Sequence, residues 1–169
     1  WWHTYNWPHE PVDLAGKRVA VIGTGATAVQ LIPELAKVVG ELFVFQRTPS
    51  SIDVRNNHAI DPDEFAELAT GWQREWPVNF ATLQTGGFAD EDLVKDGWTD
   101  IAIRVRDRVV AEMSTGASFD PETIQKAFEE SDDEKMTEIR ARVDAIVKDK
   151  ATAEKLKPWY RQLCKRPCF

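Results

Sequence analysis

Apolar and polar residues follow three different rhythms along this chain. In the first, Lys17 to Ile22 carries a short apolar run rich in β-branched residues, the pattern of a buried parallel strand. From about Ala26 to Val39 the spacing becomes helical, with Val29, Ile32 and Leu35 or Ala36 on one face. Gly40 is placed to stop that helix. Leu42-Phe43-Val44-Phe45 reads as a second buried strand. A strand, a crossover helix and a strand in so short a span predict a right-handed βαβ unit. Pro33 conflicts with this pattern, because an interior proline removes a helical hydrogen bond and costs ~3 kcal/mol. The helix is retained, with a local kink expected there.

The second rhythm fills residues 58–157 and is almost wholly helical. Asp61-Pro62-Asp63-Glu64 offers an N-cap, a proline at the first helical position and a capping-box acid. Asp120-Pro121-Glu122 starts a helix in the same way, and Ser131 with Glu134 makes a third capping box. Behind it, Met136, Ile139, Val143, Ile146 and Val147 form an apolar stripe at helical spacing. Ile101 to Met113 is a further helix, with Val105, Val109 and Met113 aligned. Thr85-Gly86-Gly87 reads as a loop between helices. The last stretch, 158–169, is basic where the helical region is acidic.

The expected fold is α/β: a partial Rossmann-like βαβ nucleotide-binding unit at 16–57 and a large all-helical insertion at 58–157. A linker at 1–15 precedes them, and a basic segment at 158–169 returns to the nucleotide-binding unit. A sheet of two strands exposes both edges, so strand exchange or a homodimer is an expectation.

Charge and composition narrow the function classes. A formal net charge of −7 argues against a general nucleic-acid binder, which would show a basic face. No apolar run reaches the length of a membrane span, and no signal peptide opens the chain. With Cys164 and Cys168 as the only cysteines, no disulfide framework is expected and a cytoplasmic setting is the default. Their spacing could suit a metal, but no second cysteine pair or histidine cluster supports it, so no metal site is assigned. The seven tryptophans are expected as core or interface anchors. No nucleophile–base arrangement supports hydrolysis. The chain opens Trp1-Trp2-His3 without an initiator methionine, and a piece of a longer protein is expected.

The strongest local motif is Gly23-Thr24-Gly25-Ala26-Thr27-Ala28, between the first strand and the helix. That is the context a dinucleotide fingerprint requires. Gly23 permits the tight turn, Gly25 lets a pyrophosphate approach the backbone, and Ala28 still allows close helix–strand packing. The free amides and dipole of the helix N-terminus would face the phosphates. The alternative is a glycine turn in some other α/β protein. The end of the second strand selects the dinucleotide. An NAD site usually places an acid there for the ribose hydroxyls. This chain has Gln46-Arg47-Thr48 instead. Arg47 can pair with a 2′-phosphate and Thr48 can donate to it. One charge-assisted hydrogen bond is worth roughly 1.5–3 kcal/mol, about tenfold or more in preference for NADP. The competing role for Arg47 is a solvated surface cation.

These motifs stand beside a resemblance. His3-Thr4-Tyr5-Asn6-Trp7-Pro8 resembles the second half of the fingerprint F-x-G-x-x-x-H-x-x-x-W-P of Baeyer–Villiger monooxygenases. Trp7-Pro8-His9-Glu10-Pro11-Val12-Asp13 leading to Gly16-Lys17-Arg18-Val19, the fingerprint glycines, and Phe45-Gln46-Arg47-Thr48-Pro49 are similar to the same family. Lys165-Arg166 resembles the pair that follows the family's helical insertion. The helical middle resembles the family in position and character more than in residues.

The resemblance implies an enzyme with two dinucleotide sites. FAD is bound mainly by a domain outside this chain. NADPH reduces the flavin, and the flavin peroxide formed with dioxygen attacks a ketone or a soft heteroatom of a small-molecule substrate. Carried over residue by residue, Gly23, Thr24, Gly25, Ala26, Thr27 and Ala28 would hold the pyrophosphate. Gln30 would line the nucleotide site, and Arg47, Thr48 and Lys165 would surround the 2′-phosphate. Arg166 would be the catalytic arginine beside the flavin, and His3 and Trp7 would belong to the interdomain linker. The partner implied is the rest of the same polypeptide. Two other readings compete: a flavin monooxygenase acting on nitrogen or sulfur, and a non-catalytic dinucleotide-binding module.

Overall fold

The structure is a computed structural model that describes all residues except His58, Ile60, Ala117 and Arg166. Its packing divides into two units, 1–52 with 139–168, and 53–138 with Phe169.

In the first unit, strand β1 (Arg18–Ile22), helix α1 (Ala26–Ala36) and strand β2 (Glu41–Phe45) follow one another, and the strands pair in parallel. Register runs from Arg18 opposite Glu41 to Ile22 opposite Phe45. Alternation along the pair puts the half-buried Val19, Val21 and Leu42 on one face. Ala28 and Leu35 of α1 are buried. The opposite face carries Ile22, Phe43 and Phe45, all exposed. The expectation of buried strands is therefore corrected for this face: no second layer covers it among the described residues.

Helix α1 runs unbroken through Pro33. It stops at Ala36, earlier than the expected Val39, and Gly40 is not its stop signal. The N–H groups of Val38 and Val39 both turn back to the Leu35 carbonyl. Gly40 is needed for another reason. It lies where the backbone passes Gly16, and a Cβ there would sit 2.5 Å from the Gly16 carbonyl oxygen.

The same unit contains the end of helix α5 (Pro121–Ile146) and helix α6 (Lys150–Leu156). Asp149 caps α6 by accepting from the Thr152 N–H at 2.8 Å. The tail then returns to the segment after β2. Ser51 donates its N–H to the Tyr160 hydroxyl at 2.8 Å, and the Cys168 N–H reaches the Ser51 carbonyl at 3.0 Å.

The second unit holds α2 (Pro62–Ala66), α3 (Trp72–Gln84), α4 (Asp100–Ser114) and the first part of α5. Asp61 caps α2 and Asp120 accepts from the Thr123 N–H at the start of α5, as their patterns predict. Ser131 and Glu134 do not start a helix. They lie inside α5, where Ser131 is fully buried. Leu83, Ile101, Val109, Ala127 and Met136 form the core. The connection from Thr85 to Thr99 is irregular rather than helical, and Asn79 pins it through the Glu91 carbonyl and the Leu93 N–H. Among the described residues, no helix is long and apolar enough to cross a membrane.

Candidate functional site

The glycine turn leaves the end of β1. Gly23 has φ +100°, a region in which side chains are strained, so glycine is required. Its N–H bonds the Phe45 carbonyl at 2.8 Å, so the turn begins on the sheet. Gly25 is the N-cap of α1 in extended backbone and offers no side-chain cap. The first amides of α1 therefore have no capping side chain, which is the property that suits an anion. A Cβ on Gly25 would meet nothing within 4 Å, so the backbone can be approached closely.

The segment after β2 is tied to this turn. The Thr24 hydroxyl donates to the Thr48 carbonyl at 3.3 Å, and the Ser50 hydroxyl donates to the Thr24 carbonyl. The Gln46 side-chain amide donates to the Lys155 carbonyl at 2.8 Å, which fixes α6 beside Arg47. Thr24, Arg47 and Ser50 line one cavity of about 950 Å³, whose other walls are largely apolar and include Val29, Ile32 and Val143. Arg47 is exposed and has no ion-pair partner among the described residues.

The other candidates are placed as follows. Gln30 is exposed, and its amide bonds back to the Ala26 carbonyl at 3.0 Å within its own helix. Lys165 is exposed, with its ammonium 4.7 Å from the centre of the Tyr160 ring. Burial raises the Tyr160 phenol above its ordinary pKa, against the opposing hydrogen bond from Ser51, and so keeps it neutral. His3 accepts from the Tyr5 N–H at 3.2 Å, capping the short turn Thr4–Asn6. Trp7 packs against Trp2 with ring centres 6.0 Å apart. Arg166, assigned to catalysis, lies outside the described residues. The structure thus gathers Thr24, Arg47 and Thr48 around one turn, and places Lys165 on the tail against Tyr160. Arg142, Lys155 and Tyr160 carry no motif signal. Their placement depends on contacts across about a hundred residues, which no local spacing records.

No family model matches this sequence. Individual proteins do. Baeyer-Villiger monooxygenase ATR8 from Stachybotrys chlorohalonatus is 50% identical over 159 residues, covering 92% of this chain and 25% of that protein. The chain resembles one segment of the Baeyer–Villiger monooxygenases. A solved polycyclic ketone monooxygenase from Thermothelomyces thermophila is 40% identical with a TM-score of 0.73, over 92% of this chain and 26% of that one. A steroid monooxygenase solved bound to NADP is 26% identical with a TM-score of 0.56, over 93% of this chain and 30% of that one. The chain therefore spans about a quarter of the length of the Baeyer–Villiger relative it matches.

Proposed function

We propose that this chain is the NADPH-binding segment of an FAD-dependent monooxygenase of the Baeyer–Villiger type. Such an enzyme inserts one oxygen atom from dioxygen into a ketone or oxidises a heteroatom. The observation that carries this reading is the uncapped glycine turn, whose Thr24 lines one cavity together with an Arg47 that has no ion-pair partner among the described residues. The relatives' names support it and favour it over the nitrogen- or sulfur-oxidising and non-catalytic alternatives.

The residues present fit a phosphorylated dinucleotide. Gly23, Thr24, Gly25, Ala26, Thr27 and Ala28 would hold the pyrophosphate, and Arg47, Thr48 and Lys165 the 2′-phosphate. Gln30 would flank the nucleotide once its amide left the Ala26 carbonyl. NADPH supplies a hydride when bound; the chain's own residues hold and orient it. FAD belongs to a domain outside these residues. Residues 1–15, with His3 and Trp7, serve as the link to it, 16–57 as a Rossmann-like unit, 58–157 as the helical insertion and 158–169 as the return segment. Arg166 keeps its catalytic assignment beside the flavin on the resemblance alone.

Calorimetric titration of this chain with NADPH and NADH tests the reading. NADPH binds about tenfold tighter, the worth of one charge-assisted hydrogen bond to the 2′-phosphate, and Arg47→Ala narrows that gap. Equal affinities in the unmutated chain sink the assignment.

A further inference from the structure

Three cationic side chains line the cavity beside the glycine turn: Arg47 after β2, Arg142 near the end of α5 and Lys155 in α6. Among the described residues, no carboxylate lines the same cavity. None of the three makes an ion pair or hydrogen bond through its charged group among the described residues. The chain carries net charge −7, and many of its other cations do pair with acids. Arg104, Arg108, Lys126, Lys135 and Lys157 are all paired with acids. Like charges that share one cavity repel one another unless an anion joins them.

The Gln46 side-chain amide holds the Lys155 carbonyl at 2.8 Å, so α6 is anchored at the residue that precedes Arg47. A 2′-phosphate bound by Arg47 carries up to two negative charges and three acceptor oxygens, more than one guanidinium neutralises. Arg142 offers a second rigid fork and Lys155 a mobile point charge, the two forms of phosphate recognition that complement each other. We propose that Arg142 and Lys155 join Arg47 in a clamp on the adenosine 2′-phosphate of NADPH, in addition to Lys165. Discrimination against NADH is then set by α5 and α6 as well as by β2. The proposal rests on the NADPH reading above and adds two specificity residues to it.

The test is calorimetry on the whole chain with adenosine 2′,5′-bisphosphate and with 5′-AMP, which differ by the 2′-phosphate. The unmutated chain binds the bisphosphate at least about tenfold tighter. Lys155→Gln and Arg142→Gln each lower bisphosphate affinity about tenfold and leave 5′-AMP binding unchanged, whereas Lys155→Arg keeps the preference. Circular dichroism checks that each variant is folded. Lys155 is exposed, so its glutamine variant decides alone should Arg142→Gln lose helix. If both glutamine variants bind the bisphosphate as the unmutated chain does while Arg47→Ala weakens it, the clamp is wrong and the NADPH reading stands. If the unmutated chain binds both probes equally, or neither, the reading and the clamp fall together.

Discussion

At the scale of single residues, two glycines with the same side chain answer to different demands. Gly40 is constrained from inside the fold, because its missing Cβ would press on the Gly16 carbonyl. Gly25 is not, because the space around its missing Cβ is open. We propose that its role as a glycine is toward a ligand. Gly40→Ala should cost about 1–3 kcal/mol by overpacking. Gly25→Ala should change stability by about 1 kcal/mol or less, the scale of N-cap preferences, yet lower NADPH affinity more than tenfold by setting a methyl group over the helix amides. Urea unfolding and NADPH titration of both variants check this. A Gly25→Ala chain that binds NADPH normally contradicts the nucleotide role of the turn. The glycine turn between β1 and α1 is legible in the sequence because it is local. The Gly40 constraint is not, since it depends on two backbone segments meeting.

At the scale of elements, the same contrast recurs. Asp61 and Asp120 announce α2 and α5 correctly because an N-cap needs only its own next residues. Ser131 and Glu134 have the same spacing and announce nothing, because the chain has already been helical for a full ten residues. What orders that part of α5 is Lys135. Its ammonium is buried and bonds Asp53 at 2.5 Å and Asp100 at 3.0 Å. Arg104 adds a two-pronged pair to Glu138 at 2.8 and 2.9 Å and a bond to Asp100 at 3.0 Å, so α4 and α5 are joined by one charge network. Burial alone would lower the Lys135 pKa and is the largest single influence. The hydrogen bonds to Asp53 and Asp100 together outweigh it, and the net shift is upward. A raised folded pKa means that the stabilisation is complete below the unfolded lysine value of about 10.4 and is lost as pH rises through the higher folded value. Lys135→Met should cost about 3 kcal/mol, near the lower end for a broken buried pair because Asp100 keeps some contact with water. It should also remove the part of the alkaline loss of stability that Lys135 causes. Urea midpoints of both proteins at pH 7 and above pH 10 are the measurement. An unchanged midpoint at pH 7 would show that the network is not stabilising.

At the scale of the whole molecule, chain order and packing diverge. The first unit takes 1–52 and 139–168, so residues far apart in sequence finish the environment of the glycine turn. The βαβ order and the candidate turn could be read from periodicity; the joining of α6 and the tail to the Gln46–Ile52 stretch could not. The sheet shows what remains uncovered. Ile22 is 88% exposed, and Phe43 and Phe45 share its face. Side chains so exposed add little to folding stability, yet an apolar face on a two-stranded sheet favours contact with another surface. Replacing Ile22 and Phe45 together by threonine puts a β-branched residue suited to a strand at both positions. The double variant should keep its unfolding free energy in urea within about 0.5 kcal/mol per site of the unmutated chain. It should also show less concentration-dependent association by sedimentation velocity. A loss of several kcal/mol would mean that this face is buried in the folded protein, and unchanged association would move the sticky surface elsewhere.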